Sequence, residues 1–426
     1  MPREPSSQDN SPRTRRRVRE AALALALLSV CVASIAISLR LLPGQLDRAI
    51  NWMLITPGHE VSTPGAPRVR HYRSGGHATT LLADGRVLVC GGNSPTASAE
   101  VYDPSGVWTL VSPMSTARGS PSATLLADGR VLVAGGSSCV HSCKGEDSLS
   151  SAEIFHPGTG LWTPAASMKI GRAHHAASRL ADGRVVVAGG IGVGSSSLSV
   201  ISTAEVFNPG PGTWTLLEPM PHERTDARAD TLPDGRMIVV GGMSWNHPRT
   251  PGDERITGDL FDPSTGHWKS TSPSPEEIAW SALQPDGSVL ILDDRGDVAQ
   301  SYSPATDLWT AHSATALWRY SSTSSSDVAA VPVVALSDGR LLATGGRIDH
   351  PSTANARMFD PLPGAVASGG AMATVRSAHT PVVLRSGRVL VFGGVQDWSG
   401  REKFAMTNWV VTSEVFDPVT GTWSLR

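Results

Sequence analysis

Ala83-Asp84-Gly85-Arg86-Val87-Leu88-Val89-Cys90-Gly91-Gly92 reads as a tight turn, an apolar run and a glycine pair. Asp-Gly beside apolar residues is a strong hairpin signal, because both tolerate the positive φ that a two-residue turn demands. The phrase returns as Ala127-Asp128-Gly129-Arg130 through Gly135-Gly136, and as Ala181-Asp182-Gly183-Arg184 through Gly189-Gly190. Further copies run from Pro233-Asp234-Gly235-Arg236 to Gly241-Gly242, from Ser337-Asp338-Gly339-Arg340 to Gly345-Gly346, and from Ser386-Gly387-Arg388 to Gly393-Gly394. A degenerate copy at Pro285-Asp286-Gly287 has Asp293-Asp294 in place of the glycine pair. Seven copies recurring about every 50 residues mark a repeat architecture.

Each copy continues into a second phrase. Glu100-Val101-Tyr102-Asp103-Pro104 is followed by Trp108, and the pattern returns as Glu153-Ile154-Phe155-His156-Pro157 with Trp162. It recurs as Glu205-Val206-Phe207-Asn208-Pro209 with Trp214 and as Glu414-Val415-Phe416-Asp417-Pro418 with Trp423. Leu260-Phe261-Asp262-Pro263 with Trp268 and Tyr302-Ser303-Pro304 with Trp309 are shorter matches, and copy six keeps Met358-Phe359-Asp360-Pro361 without a tryptophan. The reading is all-β, with four strands per copy. An Ala/Thr/Leu-rich strand turns into an apolar one, a third carries Glu-Val-aromatic, and an Asp-Pro turn leads to a fourth headed by Trp. The 43 glycines, 31 prolines and sparse charge suit many short strands joined by tight turns.

Repeats of this form resemble the kelch family, from near Tyr72 to Arg426, in the galactose oxidase central-domain-like superfamily and of a bacterial exported or membrane-anchored type. The resemblance implies a seven-bladed kelch-type β-propeller with four antiparallel strands per blade. It also implies that the aromatic and Trp positions pack between neighbouring blades.

Upstream of the repeats the chain reads as an address. Residues 1–20 form a basic tail with Arg13, Arg15, Arg16, Arg17 and Arg19, and an uncharged apolar run follows from Ala21 to Leu39. A helix of that length covers roughly 28 Å, the thickness of a bilayer's hydrocarbon. Segment 21–42 is therefore expected to be an N-terminal transmembrane signal-anchor, oriented by the arginines with its start in the cytoplasm. The alternative is a signal peptide cleaved after Ser34-Ile35-Ala36, giving a secreted protein. Residues 43–70, with Pro43, Pro57, Pro64 and Pro67, read as a linker, and 71–426 as the propeller.

The net charge of −2 leaves no basic footprint for nucleic acid. Within the repeats, Arg118, Arg172, Arg224 and Arg376 stand eleven residues before their turn glycine and Arg73 stands twelve before; His77, His175 and His379 stand eight before. These positions open each innermost strand, so two roles stay open: a ring of ligand groups at the channel mouth, or stitches to backbone carbonyls between blades. Repeats five and six break the series. The long connections after the glycine pairs supply loop-face candidates, Trp245, His247, Trp398 and Arg401. Cys139 and Cys143 share one such loop and are expected to form a disulfide after export, while Cys90 stays a buried thiol.

Relatives of galactose oxidase carry copper held by tyrosines and histidines. Only Tyr72, Tyr102, Tyr302 and Tyr320 are present, and two of these occupy the repeat's structural aromatic position. No cofactor and no metal are therefore expected. The functional expectation is a non-catalytic binding module for an extracytoplasmic protein or glycan. The alternative is an exported oxidase or sugar epimerase.

Overall fold

The computed structural model describes residues 60–61 and 76–426, apart from 93–94, 140–146, 194–197, 245–257, 274–279, 293–298, 313–330, 347–352, 362–363 and 398–406. The chain divides into two compact units, Met1–Gly58 and His59–Arg426. The basic tail and the anchor segment 21–42 lie outside the described residues. No helix among the described residues is long and apolar enough to cross a membrane.

The described residues build seven four-stranded antiparallel sheets. In repeat one, His77–Leu81, Val87–Gly91, Ala99–Asp103 and Val107–Leu110 lie side by side in chain order. Each later repeat copies this meander, ending with Thr380–Val383, Val389–Phe392, Ser413–Asp417 and Thr422–Leu425. The Asp-Gly turn works as its chemistry requires. Gly85 has φ +90°, and Asp84 Oδ1 accepts the Arg86 N–H at 3.0 Å.

The second strand of each sheet is almost wholly apolar because it is buried on both faces, Thr344 in repeat six being the polar exception. Val87 and Val89 point into the seam with repeat seven, while Leu88 and Cys90 point into the seam with repeat two. Seven apolar clusters, each spanning two consecutive sheets, form the core among the described residues. The repeated aromatics meet inside them, with Phe207 and Trp214 ring centroids 5.0 Å apart. Trp214 Nε1 then donates to the Ala166 carbonyl of the preceding repeat at 2.8 Å. In copy six, Val366 pairs with Phe359 where the others have Trp, so that stitch is missing.

Sheet seven packs on sheet one. Trp108 Nε1 donates to Ser413 Oγ at 3.0 Å, and His77 Nε2 lies 2.7 Å from Thr380 Oγ1. The packing is a closed ring of sheets, consistent with a propeller. Two connections after glycine pairs extend as hairpins, Ile191–Val193 with Leu198–Val200, and Val395–Asp397 with Thr407–Val410. Glu60–Val61, inside the stretch read as linker, is a strand paired in parallel with Trp409 and Val410.

Candidate functional site

The arginine series is buried. Arg118, Arg172 and Arg376 are fully inaccessible, and Arg224 is 3% exposed. Arg172 Nη1 donates to the carbonyls of Gly189 at 3.0 Å and Thr203 at 2.7 Å, and Nη2 donates to Glu205 Oε1 at 3.1 Å. Glu205 in turn accepts the N–H groups of Lys169 and Ile170. Arg118 repeats this with Gly135, Ser151 and Glu153, and Arg376 with Gly393, Thr412 and Glu414. In repeat four the shorter Asp259 takes the glutamate's place beneath Arg224, and His222 closes on its other oxygen at 2.8 Å. A guanidinium so bonded has little left for a ligand. All these side-chain partners belong to the arginine's own repeat, so the four are neither exposed channel-mouth ligand groups nor side-chain stitches between blades, and both readings are corrected.

The same segments explain the glycine pair. A Cβ on Gly91 would stand 2.7 Å from the carbonyl oxygen of Arg118 in the next repeat, and Gly92 N–H donates to that oxygen at 3.1 Å. Gly136 and Gly190 N–H groups reach Arg172 and Arg224 in the same way. Each joint thus has three parts: a glycine pair, the next repeat's arginine, and that repeat's third-strand acid. Repeats five and six carry Glu276 and Val328 at the arginine position, and Gln300 and Arg357 at the acid position. The pair is lost as a unit, as expected where one partner alone would leave a buried charge uncompensated.

The histidine candidates, by contrast, bridge neighbouring repeats with their side chains. His175 Nε2 lies 2.9 Å from Ser122 Oγ of the preceding repeat, and His379 Nε2 lies 2.8 Å from Thr344 Oγ1. Burial, aided by the Arg172 charge, pushes the His175 pKa down to about 3. His77 and His175 border the channel, but their Nε2 atoms are engaged in the seams.

The channel mouth is built from the residue two places after each arginine. Ser120, His174, Asp226 and Ala378 all take left-handed φ, between 48° and 58°. That conformation costs a non-glycine residue about 1 kcal/mol, and a belt of hydrogen bonds holds it. Ser120 N–H donates to Gly76 O, His174 N–H to Ser120 O, and Asp226 N–H to His174 O. Inside the belt lies a cavity of about 630 Å³, walled by the first strands of repeats one to four. Besides His77 and His175, the titratable groups lining it are His174, Asp226, Arg228 and Asp230. Sequence reasoning passed over all four, because Ser, His, Asp and Ala at one repeat position look like drift. His174 turns to Asp226 of the next repeat and His175 to Ser122 of the preceding one, across a break between Arg172–Ala173 and Ala176–Arg179.

His174 Nδ1 lies 2.7 Å from Asp226 Oδ1, and the two side chains are 36% and 51% exposed. The carboxylate's hydrogen bond raises the His174 pKa above 6.5, against the opposing effect of burial. A raised folded-state value stabilises the fold fully below pH 6.5 and loses that effect as pH climbs through it. Asp226→Asn should therefore lower the imidazole pKa in an NMR titration and reduce stability only on the acid side. An unchanged His174 titration in that variant would show that the pair is not formed in solution.

Arg73, Trp245, His247, Trp398 and Arg401 lie outside the described residues, as does Cys143. Cys139 is disulfide-bonded. Cys90 keeps its thiol, buried in the seam between repeats one and two.

The kelch motif matches residues 118–169. Kelch-like protein 35 of Mus musculus is 25% identical over 54% of this chain and 37% of its own length. An F-box/kelch-repeat protein of Arabidopsis thaliana is 31% identical over 28% of this chain and 30% of its own length. The chain carries a kelch motif and is similar to kelch-repeat proteins. It spans about a third of the length of the curated relatives it matches. The chain is also similar to a solved structure described as a novel fungal alcohol oxidase of the AA5 family in complex with copper. The TM-score is 0.54 at 21% identity, covering 72% of this chain and 64% of the other, a likeness of fold.

Copper of that kind does not fit the described residues of this chain. Tyr102 and Tyr302 are fully buried in the seams between sheets, with Cys90 in another. Tyr72 and Tyr320 lie outside the described residues. Among the described residues no three His, Cys, Asp or Glu side chains are grouped to hold a metal ion.

Proposed function

We propose that this chain is a seven-bladed propeller serving as a non-catalytic binding module, displayed outside a membrane on segment 21–42, with an extracytoplasmic protein or glycan as its partner. One observation carries the reading. The repeated arginines are consumed by the scaffold, so the polar groups left open, His174 and Asp226, sit at one mouth on a backbone fixed by interlocking bonds. Rigid framework with varied groups at one edge is the usual plan of a recognition surface. The sequence places Trp245, His247, Trp398 and Arg401 in connections that follow glycine pairs, and so assigns them to that edge. The apolar run 21–39 behind clustered arginines supports display outside the membrane, and nucleic acid is not the expected partner.

The test takes the full chain from its own membranes. It should stay in the pellet after an alkaline carbonate wash and begin at Met1 or Pro2; a start at Ile37 would show a cleaved signal peptide instead. In detergent, it should retain a discrete surface protein or glycan, and His174→Ala with Asp226→Ala should abolish that retention. Equal retention by wild type and double variant would end the mouth-binding reading.

A further inference from the structure

Arg228 breaks the pattern of the channel wall. It opposes Val240 across the first hairpin of repeat four, in the register where Ala78, Ser122 and Ala176 oppose Cys90, Ala134 and Ala188. Repeats one to three thus have a small residue there, whereas repeat four has a long cation and repeat five Trp280, opposite Leu292. Unlike the seam arginines it is exposed to the channel. Its guanidinium makes one long hydrogen bond, from Nη1 to the Ser281 carbonyl at 3.4 Å, and lies 5.9 Å from the centroid of the Trp280 ring. Most of its five donors therefore remain for something in the cavity. Asp230, two residues along the same strand and so on the same side, makes no hydrogen bond among the described residues. The channel walls desolvate both, pushing the arginine's pKa down and the carboxyl's up while each charge partly holds the other.

We infer that this part of the channel binds a small hydroxylated carboxylate, of the sugar-acid class, with Arg228 as its anchor. A planar guanidinium held beside an indole face matches a carboxylate with two parallel N–H donors. Thr79, Thr124 and Asp230 supply the hydroxyls and carboxyl that would meet the ligand's hydroxyl groups. The room comes from Ala177, Ala227 and Ala229, and about 630 Å³ is ordinary for a small-molecule site. One cation beside two carboxyls, Asp226 and Asp230, suits a monoanion better than a phosphate dianion.

The experiment is calorimetric titration of the full chain in detergent with glucuronate, gluconate, glucose and inorganic phosphate. Either sugar acid should bind saturably and at least about tenfold more tightly than glucose or phosphate. Arg228→Gln should weaken that binding roughly tenfold to a hundredfold without moving the melting temperature. If Arg228→Gln does not fold, Arg228→Lys decides: it keeps the charge, loses the two-donor fork, and should bind measurably more weakly. Sugar acids binding no better than glucose, or equally well to the folded variant, would overturn the assignment. Retention of a macromolecular partner at the mouth should be unaffected by Arg228→Gln, so failure here and failure of the proposed function give different results.

Discussion

Arg172→Ala is expected to cost the ring about 3–5 kcal/mol, the usual cost of breaking a buried ion pair from one side. The substitution leaves Glu205 fully buried with its charge uncompensated, and strands the carbonyls of Gly189 and Thr203. Arg172→Lys should lose less, because an ammonium keeps the charge but cannot reach all the acceptors that a planar fork spans. Glu205→Gln should likewise lose less than Glu205→Ala, since an amide oxygen still accepts the Lys169 or Ile170 N–H. Denaturant unfolding of the four variants checks the order. A loss below about 1 kcal/mol for Arg172→Ala, the range of ordinary surface changes, would mean that water reaches the joint.

Acid should weaken the ring before its surface carboxylates protonate. His175 is pushed down to about 3 by burial and the Arg172 charge, and His379 well below its ordinary value by burial and the Arg376 charge. An unfolded chain takes up these protons near pH 6.5, while the folded chain takes up the His175 proton only near 3. Stability is therefore full above pH 6.5 and falls as pH drops from there. Each histidine adds a limiting slope of about 1.4 kcal/mol per pH unit. Urea unfolding across this range should show the fall, and His175→Gln should remove one histidine's share of it. A flat profile, or an unchanged slope in the variant, would show that the imidazole is protonated inside the seam. His174 works in the opposite sense, so the two adjacent histidines are separable by pH.

Much of the fold was legible because it is repeated. The Asp-Gly turns, the apolar second strands and the Trp positions all landed where their periodicity put them. The joints were written in the same phrases but could not be assembled from them. Glu205 sits in the quoted Glu-Val-Phe phrase, yet nothing in the phrase says that Arg172, more than 30 residues upstream, reaches it. The coordinated loss of arginine and acid in repeats five and six was a visible clue to that pairing. The cavity groups were the hardest to find. His174 and Asp226 share a backbone role and differ in side chain, and Arg228 stands out only once its counterparts in repeats one to three are known to be small.

The closing joint has a consequence for where the chain can be cut. Each of the seven sheets is made from one unbroken stretch, the last entirely from residues 380–425, so no strand is lent across the ends to lock the circle. Among the described residues, the join between first and last repeat is made by side-chain bonds and apolar packing, with the short pairing of Glu60–Val61 beside it. The order of repeats along the chain is thus decoupled from their order around the axis. New termini opened in the connection between repeats two and three, with the old ends bridged by a flexible linker, would leave every sheet whole. Such a permutant should assemble the same circle from a different starting repeat.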